Sequence, residues 1–302
     1  MSVESKLIDL KTKIEGMADS ETKREMLART NEHLARYDGR DKIVTSHQVW
    51  EEIKDRPFLE PMKTNHPKLD SIIEGFYPKQ CIYIGAPPAS GKTSFTLDLI
   101  NRMKEHNPLF LSFEQSVEEL LSTLKKRKQE IPFFVTPRFK KMETVKWISD
   151  RITEAVIKHG TKVVFIDHFG YIKADGKFWS ETKEITSTLM ELETIADELD
   201  IAIVTIVHLN KWNPVEIPTK HNLNGSAGFD QQADTIIMLW REAYLEKRQV
   251  KWSNKVLLSV EKNRAEGTNA SFRMKYEDYK FIQDDNITFH HEDNGGYGEY
   301  DS

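Results

Sequence analysis

The rhythm of hydrophobic and polar positions along this chain changes at about residue 80. Beyond that point, short apolar runs alternate with stretches whose apolar residues recur at helical spacing. The apolar runs predict strands over residues 81–84, 108–112, 162–166, 201–207, 235–239 and 256–260. One intervening stretch carries the apolar face of a helix, formed by Ile185, Leu189, Leu192, Ala196 and Leu199. Strands that are apolar on both faces and joined by helices predict an α/β fold with a mostly parallel central sheet.

The first 60 or so residues follow a different pattern, which is polar with a thin helical stripe that includes Leu7, Leu10 and Ile14. Because so few apolar residues cannot close an independent core, we expect short helices that pack on something else. Residues 46–52 resemble a capped helix start. The pattern therefore predicts a helical or linker segment over residues 1–62, an α/β domain over 63–289 and an acidic flexible tail over 290–302.

The strand at 81–84 runs into a loop of small residues that ends in Gly91-Lys92-Thr93, and a helical pattern follows. This matches the P-loop pattern from Ala86 rather than Gly85, because four residues must separate the first small residue from Gly91. Such loops bind phosphates through backbone N–H groups and the helix N-terminus. Lys92 would reach the β and γ phosphates, and the Thr93 hydroxyl would ligate Mg²⁺. The expected nucleotide-binding residues of the loop are Ala86, Pro87, Pro88, Ala89, Ser90, Gly91, Lys92, Thr93 and Ser94.

The other strands also end in residues that suit phosphoryl transfer, and we expect all of them at the carboxyl edge of the sheet. Asp167 would hold Mg²⁺ beside the P-loop. Glu114 would act as the general base for the attacking water, or would cap the next helix. His208 would hydrogen-bond the γ-phosphate, or have a structural role. Lys262 and Arg264 would offset the developing negative charge, or form an ordinary basic edge turn.

Composition excludes several classes of protein. The net charge is −5, from 43 basic and 48 acidic residues, and does not indicate general affinity for nucleic acid. No apolar run approaches the roughly 18 residues of a membrane span, and the N-terminus lacks a signal-peptide core. We therefore expect a cytoplasmic protein with no membrane partner. Cys81 is the only cysteine, which excludes an intrachain disulfide and a cysteine-rich zinc ribbon.

Taken in order, these motifs resemble those of the ring-forming replicative DNA helicases with a RecA-like core. That family includes the helicase half of the phage primase–helicase, its mitochondrial relative Twinkle and bacterial DnaB. The resemblance covers residues 60 to 285 or so, and its most characteristic run is Leu-Asn-Gly-Ser-Ala-Gly-Phe-Asp-Gln-Gln-Ala-Asp-Thr-Ile-Ile at residues 223–237. It implies a RecA-like P-loop ATPase that assembles as a homo-hexamer, moves on single-stranded DNA with Mg²⁺ and ATP or another NTP, and unwinds duplex.

The resemblance also implies roles for individual residues. Lys92 and Thr93 bind phosphate and metal, Glu114 is the catalytic carboxylate, and Asp167 is the aspartate of the second motif. His208 stands where the phage and mitochondrial members have His and DnaB has Gln, which favours the phage-type branch and a host cytoplasm for a phage-encoded chain.

Further implied roles concern the neighbouring subunit, the base and the DNA. Lys262 and Arg264 match a Lys-x-Arg pair that reaches the neighbouring subunit's ATP site. Arg241 and Tyr276 stand where phage enzymes hold the nucleotide base. The segment from residue 210 to 226 matches the channel loop that grips single-stranded DNA. Its expected DNA-binding residues are Asn210, Lys211, Trp212, Asn213, Lys220, Gly225 and Ser226.

Two departures from the family and two alternatives accompany this interpretation. A primase with a zinc ribbon is expected to be absent, and DnaB's N-terminal helical domain is expected to be absent or heavily truncated, so primase and DNA polymerase would be separate partners. The first alternative is a RecA-like recombinase or mediator that forms filaments on DNA. The second is an ATP-gated loader subunit that binds DNA without unwinding it.

Overall fold

The structure is a computed structural model that describes residues 3–37, 44–55, 60–138, 144–174, 179–210, 213, 215–246 and 249–289. It divides into two compact units, Met1–Phe58 and Leu59–Ser302. Within the described residues, no helix combines the length and the apolarity needed to cross a membrane.

The first unit contains three helices in its described part. These are α1 (Val3–Glu15), α2 (Glu21–Tyr37) and α3 (Ser46–Ile53). The residue that caps α3 is Thr45, whose hydroxyl accepts from the Gln48 N–H while the Gln48 side chain accepts from the Thr45 N–H. This reciprocal capping box satisfies two backbone donors that the first helical turn leaves without partners.

The second unit is the α/β domain, and its elements alternate as the apolar pattern predicts. Its helices are α4 (Pro67–Ile73), α5 (Lys92–Arg102), α6 (Val117–Lys126), α7 (Val145–His159), α8 (Glu181–Glu198) and α9 (Ser226–Gln232). Its strands are β1 (Cys81–Ala86), β2 (Leu109–Ser112), β3 (Val163–Asp167), β4 (Ala202–His208), β5 (Thr235–Glu246), β6 (Gln249–Asn263), β7 (Ala270–Glu277) and β8 (Lys280–Gln283).

All eight of these strands form one sheet in the order β2-β3-β4-β1-β5-β6-β7-β8. The five strands from β2 to β5 pair in parallel, and β6, β7 and β8 follow as an antiparallel extension. The mostly parallel sheet is therefore confirmed, but the sequence pattern missed β7 and β8. In β7 only alternate side chains, such as Phe272 and Met274, are buried, so this strand lacks a continuous apolar run.

Helices cover both faces of the sheet and bury one apolar cluster on each side. One cluster joins the sheet to α4, α5 and α6, and the other joins it to α7, α8 and α9. Parallel strands that are covered on both faces read as continuous apolar runs, which explains why the sequence pattern located β1 to β4. The residues described next lie at the carboxyl ends of these strands or just beyond them.

Candidate active site

The loop between β1 and α5 has the geometry of a phosphate-binding turn. β1 ends at Ala86, and α5 begins at Lys92. Gly91 caps the helix with a φ of +93°, a conformation that L side chains rarely adopt. The buried hydroxyl of Ser90 donates to the Pro87 carbonyl at 2.7 Å and closes the loop on itself. The N-terminal N–H groups of α5 are thus available to an anion.

Beyond the P-loop, a cleft of about 740 Å³ is lined by residues of the loop and of the antiparallel extension. Pro88 and Ala89 are exposed in the loop, and Ala89 lines the cleft. The hydroxyl of Tyr276 donates to Ser94 Oγ at 3.1 Å, and both residues line the cleft. The Arg241 guanidinium carbon lies 4.9 Å from the centre of the Tyr276 ring. The two residues expected to hold the base therefore lie together beside the loop.

Thr93 and Asp167 form the part of the site that suits a metal ion. Thr93 Oγ1 donates to Asp167 Oδ2 at 3.1 Å. Asp167 is 1% exposed, and its Oδ1 atom has no hydrogen-bond partner among the described residues. Burial, and after it the charge of Glu114, raises the pKa of Asp167 to about 6. A buried, unpartnered carboxylate oxygen beside a hydroxyl is the hard oxygen donor set that Mg²⁺ prefers, so these residues fit the expected metal.

Glu114, which follows β2, meets two histidines from the ends of the neighbouring strands. Its Oε1 lies 3.1 Å from His208 Nε2 and 3.4 Å from His168 Nε2. The two imidazole rings are 3.9 Å apart between their centres. His168 is a site residue that the motifs did not predict, although its position directly after Asp167 is a signal that could have found it.

The charge state of this cluster follows from burial and from its neighbours. Burial, followed by the positive charge that His208 would carry, lowers the pKa of His168 to about 4. Burial and then Lys92 lower the pKa of His208, against the opposing effect of Glu114. Burial also lowers the pKa of Lys92, while Glu114 and Asp167 oppose that change. Both imidazoles are therefore neutral at neutral pH, beside an anionic and a cationic group.

Lys262 and Arg264 lie beside the amino ends of the parallel strands. The expectation that they lie at the carboxyl ends, with the other site residues, was therefore wrong. Asn263, between them, pairs with Thr235 at the start of β5. The physical reason is that β6 runs antiparallel to β5, so its carboxyl end lies beside the amino ends of the parallel strands. Arg264 contacts Asp234 Oδ1 at 3.2 Å.

The segment that follows β4 forms a loop whose two ends are paired with each other. Leu209 and Leu223 form an isolated antiparallel bridge, and the Asn210 N–H donates to the Asn222 carbonyl at 2.8 Å. Within the segment, the Asn213 amide donates to Glu216 at 2.9 Å. The expected DNA contacts at Lys211 and Trp212 lie outside the described residues.

Two of the remaining expected DNA-binding residues are engaged within the chain. Lys220 Nζ lies 2.7 Å from Asp230 Oδ1 and lowers the pKa of that carboxyl. Gly225 has a φ of +81°, and a Cβ there would lie 2.8 Å from Ile185 Cδ1. Gly225 thus permits a close approach to α8 of its own chain. Ser226 is the first residue of α9.

Comparison with known families gives the site its context. The family model described as the DnaB-like helicase C-terminal domain matches residues 61–147 and 122–282, which together make up more than half of the chain. The chain belongs to this family.

Curated relatives of this DnaB-like chain include the replicative DNA helicase DnaB of Rickettsia bellii (strain RML369-C). It is 25% identical over 229 residues, which are 60% of this chain and 45% of the relative. The probable replicative DNA helicase of Trieres chinensis is 23% identical over 262 residues, or 73% of this chain and 56% of the relative. The chain thus spans about half the length of the curated relatives that it matches.

Solved structures agree with the DnaB-like fold. A structure described as an ATPase domain is 21% identical, with a TM-score of 0.64, and the match covers 78% of this chain and 96% of that domain. A DnaB-like replicative helicase, solved to describe its interactions with primase, is 17% identical with a TM-score of 0.65, and the match covers 88% of this chain and 80% of that one. The RecA-like core expected from the motifs is therefore confirmed as the fold of this DnaB-like domain.

Proposed function

We propose that this DnaB-like chain is the ATP-hydrolysing motor of a replicative DNA helicase, working as a hexamer on single-stranded DNA and unwinding duplex. The observation that supports the proposal is that the hydrolytic groups and the Arg264 guanidinium lie at opposite ends of the parallel strands. The carboxyl ends of the parallel strands carry the hydrolytic groups, which are Lys92, Thr93, Asp167 and Glu114. Arg264 lies beside the amino ends of the same strands. A guanidinium that suits the charge of phosphoryl transfer but lies at the opposite end of the strands from the hydrolytic groups suits a ring of identical subunits, in which it would reach the next site.

Within one subunit, the P-loop binds the phosphates of ATP, and Arg241 and Tyr276 hold its base. Thr93 and Asp167 would hold Mg²⁺, which supplies positive charge against the phosphate oxygens. Glu114 orients a water and takes its proton while the water oxygen bonds to the γ-phosphorus. The bond to the bridging oxygen breaks with its electron pair on ADP, and inorganic phosphate leaves.

The distance between the two edges of the sheet argues against a contribution from Arg264 to its own site. Asn263 is in register with Thr235, and Thr235 with Ile82, four residues before the end of β1 at Ala86. At about 3.3 Å per residue, that is roughly 13 Å along the strand before the P-loop begins. Arg264 therefore serves the site of a neighbouring subunit, where it offsets the charge of phosphoryl transfer.

The connection between hydrolysis and DNA runs through β4. His208 ends this strand beside Glu114, and its carbonyl accepts from the Asn224 N–H at 3.3 Å. The Leu209–Leu223 bridge follows immediately, so both ends of the 210–222 loop are attached next to His208. Loss of the γ-phosphate shifts His208, and the loop carries DNA with it. His208→Ala should therefore lose unwinding, and a variant with normal DNA-stimulated hydrolysis and normal unwinding would contradict this coupling.

The first experiment measures ATP hydrolysis with and without single-stranded DNA, on a forked duplex whose separation is read in the same tube. Strong stimulation with strand separation is the expected result. Hydrolysis without separation would favour the loader, and open filaments in electron micrographs would favour the recombinase.

A subunit-mixing experiment tests the neighbour's role. Lys92→Ala and Arg264→Ala chains should each fail to hydrolyse ATP, but a mixture should recover part of the ATP hydrolysis, because some interfaces then combine an intact Lys92 with an intact Arg264 from the next subunit. A mixture as inactive as its parts, despite confirmed co-assembly, would assign Arg264 to its own subunit. Primase and DNA polymerase are further proposed partners, and the acidic segment 290–302 lies outside the described residues.

A further inference from the structure

Two histidine side chains converge on one oxygen atom of Glu114, and all three residues come from adjacent strand ends. His168 Nε2 and His208 Nε2 lie 3.4 and 3.1 Å from Glu114 Oε1, and the potential ligand atoms all lie within 4.8 Å of one another. Spacings of this size have two physical explanations. Either the three residues can surround a metal ion, or the histidines are hydrogen-bond donors to the carboxylate.

The backbone of Gly170 distinguishes the two explanations. Its N–H donates to His168 Nδ1 at 3.1 Å, so Nδ1 is the acceptor of the neutral ring. The proton of the imidazole is then on Nε2, which faces Glu114. A metal ion would need the lone pair of Nε2, and metal-binding histidines normally donate a proton from the other nitrogen, which the Gly170 N–H prevents. His208 thus makes a hydrogen bond to the carboxylate, and His168 directs its Nε2–H at the same oxygen from 3.4 Å.

The same glycine fixes the position of the ring. A Cβ on Gly170 would lie 2.9 Å from His168 Cε1 and 3.1 Å from Nδ1, so any larger residue would push the imidazole away. Tyr171 packs at 4.7 Å between ring centres, and the His168 side chain is only 15% exposed. The ring therefore has a fixed tautomer and a fixed place next to Glu114.

We propose that His168 is a positioning residue for the catalytic carboxylate: its Nε2–H, which faces Glu114 Oε1 at 3.4 Å, closes to a hydrogen bond in the nucleotide-bound site and, together with the hydrogen bond from His208, turns Oε2 toward the attacking water. This inference rests on the proposed ATP hydrolysis. His168 does not touch the nucleotide in this role, and its contribution appears only in the rate of the chemical step.

The test compares His168→Phe, which keeps a ring without a donor, with His168→Gln, whose amide nitrogen can occupy the position of Nε2. DNA-stimulated hydrolysis is measured over a range of ATP concentrations. We expect kcat to fall roughly tenfold to a hundredfold in His168→Phe, as for a lost hydrogen bond to a charged group, with KM within about twofold. His168→Gln should recover most of kcat. The exposed His159 provides the matched control, because His159→Phe should leave both constants unchanged.

Gly170→Ala extends the test without altering His168 itself. The added methyl displaces the imidazole, so kcat should fall while binding of a fluorescent ADP analogue stays within about twofold. In a Glu114→Gln background, His168→Phe should cause no further loss, because the two residues act as one unit.

Several results would overturn the inference. His168→Phe with wild-type kcat would do so, as would equal losses in His168→Phe and His168→Gln, which indicate a structural role. Binding of one Co²⁺ per chain with tetrahedral visible absorption, abolished by His168→Phe, would favour the metal site. A wild-type chain that does not hydrolyse ATP with any DNA would instead refute the proposed function.

Discussion

Asp167→Asn should make the nucleotide-free protein more stable while abolishing hydrolysis. The wild-type carboxylate is 1% exposed, and its Oδ1 has no partner among the described residues. A charged group in that position costs free energy of folding that is absent in the unfolded chain, where water solvates the carboxylate. The site therefore retains a carboxylate that lowers stability, as expected where the charge is needed for binding a metal.

The size of the effect follows from the pKa. Burial raises the pKa of Asp167 from 3.8 to about 6, a difference of roughly 2 units, which corresponds to about 3 kcal/mol. For an acid whose folded pKa is raised, this cost is fully present above pH 6 and disappears as the pH falls toward 4. The amide of the variant can still accept from Thr93, and its unpaired NH₂ group adds a cost that does not depend on pH.

Urea denaturation from about pH 8 to about pH 4, in EDTA and without nucleotide, measures this directly. The stability of the variant relative to the wild type should be greatest at the alkaline end and should fall by up to about 3 kcal/mol on acidification. Glu114→Gln is the control for the second cause of the shift, and should reduce the pH dependence only in part. A stability difference that is independent of pH across this range would refute the reasoning.

Three shorter predictions test other parts of the site. Arg264→Ala should abolish hydrolysis but leave affinity for a fluorescent ATP analogue within about twofold, and a matching loss of affinity would place its effect on binding. Tyr276→Ala should weaken nucleotide affinity roughly tenfold through loss of base stacking, as measured by titration, whereas unchanged affinity would exclude it from the base site. Gly225→Ala should lower the free energy of unfolding by roughly 1 to 3 kcal/mol in urea, because its Cβ would meet Ile185, and an unchanged value would contradict that packing.

The sequence pattern predicted the parallel half of the sheet better than the antiparallel half. Strands β1 to β4 are buried on both faces and stand out as apolar runs. β7 is a half-buried strand with polar residues between Phe272 and Met274, and its pattern is too weak to recognise without its neighbours. β5 and β6 also extend well beyond their predicted ends because they form a long hairpin, a pairing that no local run of residues encodes.

The candidate site divides in a similar way. The sequence alone predicts that one group of residues lies close together, because parallel strands end on the same side of the sheet. This group is the P-loop, Asp167, Glu114 and His208. The position of Arg264 could not be predicted, because the direction of β6 depends on its pairing with β5. The part played by His168 depends on which ring nitrogen carries the proton, and a backbone N–H two residues away determines that.

The opposite placement of Lys92 and Arg264 along the same sheet has a genetic consequence. In a ring assembled as proposed, each subunit contributes Lys92 to its own ATP site and Arg264 to the site of a neighbour. A subunit that lacks Arg264 therefore inactivates the ATP site of an adjacent wild-type subunit. An Arg264→Ala chain expressed beside the wild type should therefore be a dominant inhibitor of replication in proportion to its share of each ring. A chain too damaged to assemble should be recessive. Dominant inhibition in mixed rings thus distinguishes substitutions at Arg264 from substitutions that disrupt the hydrophobic core.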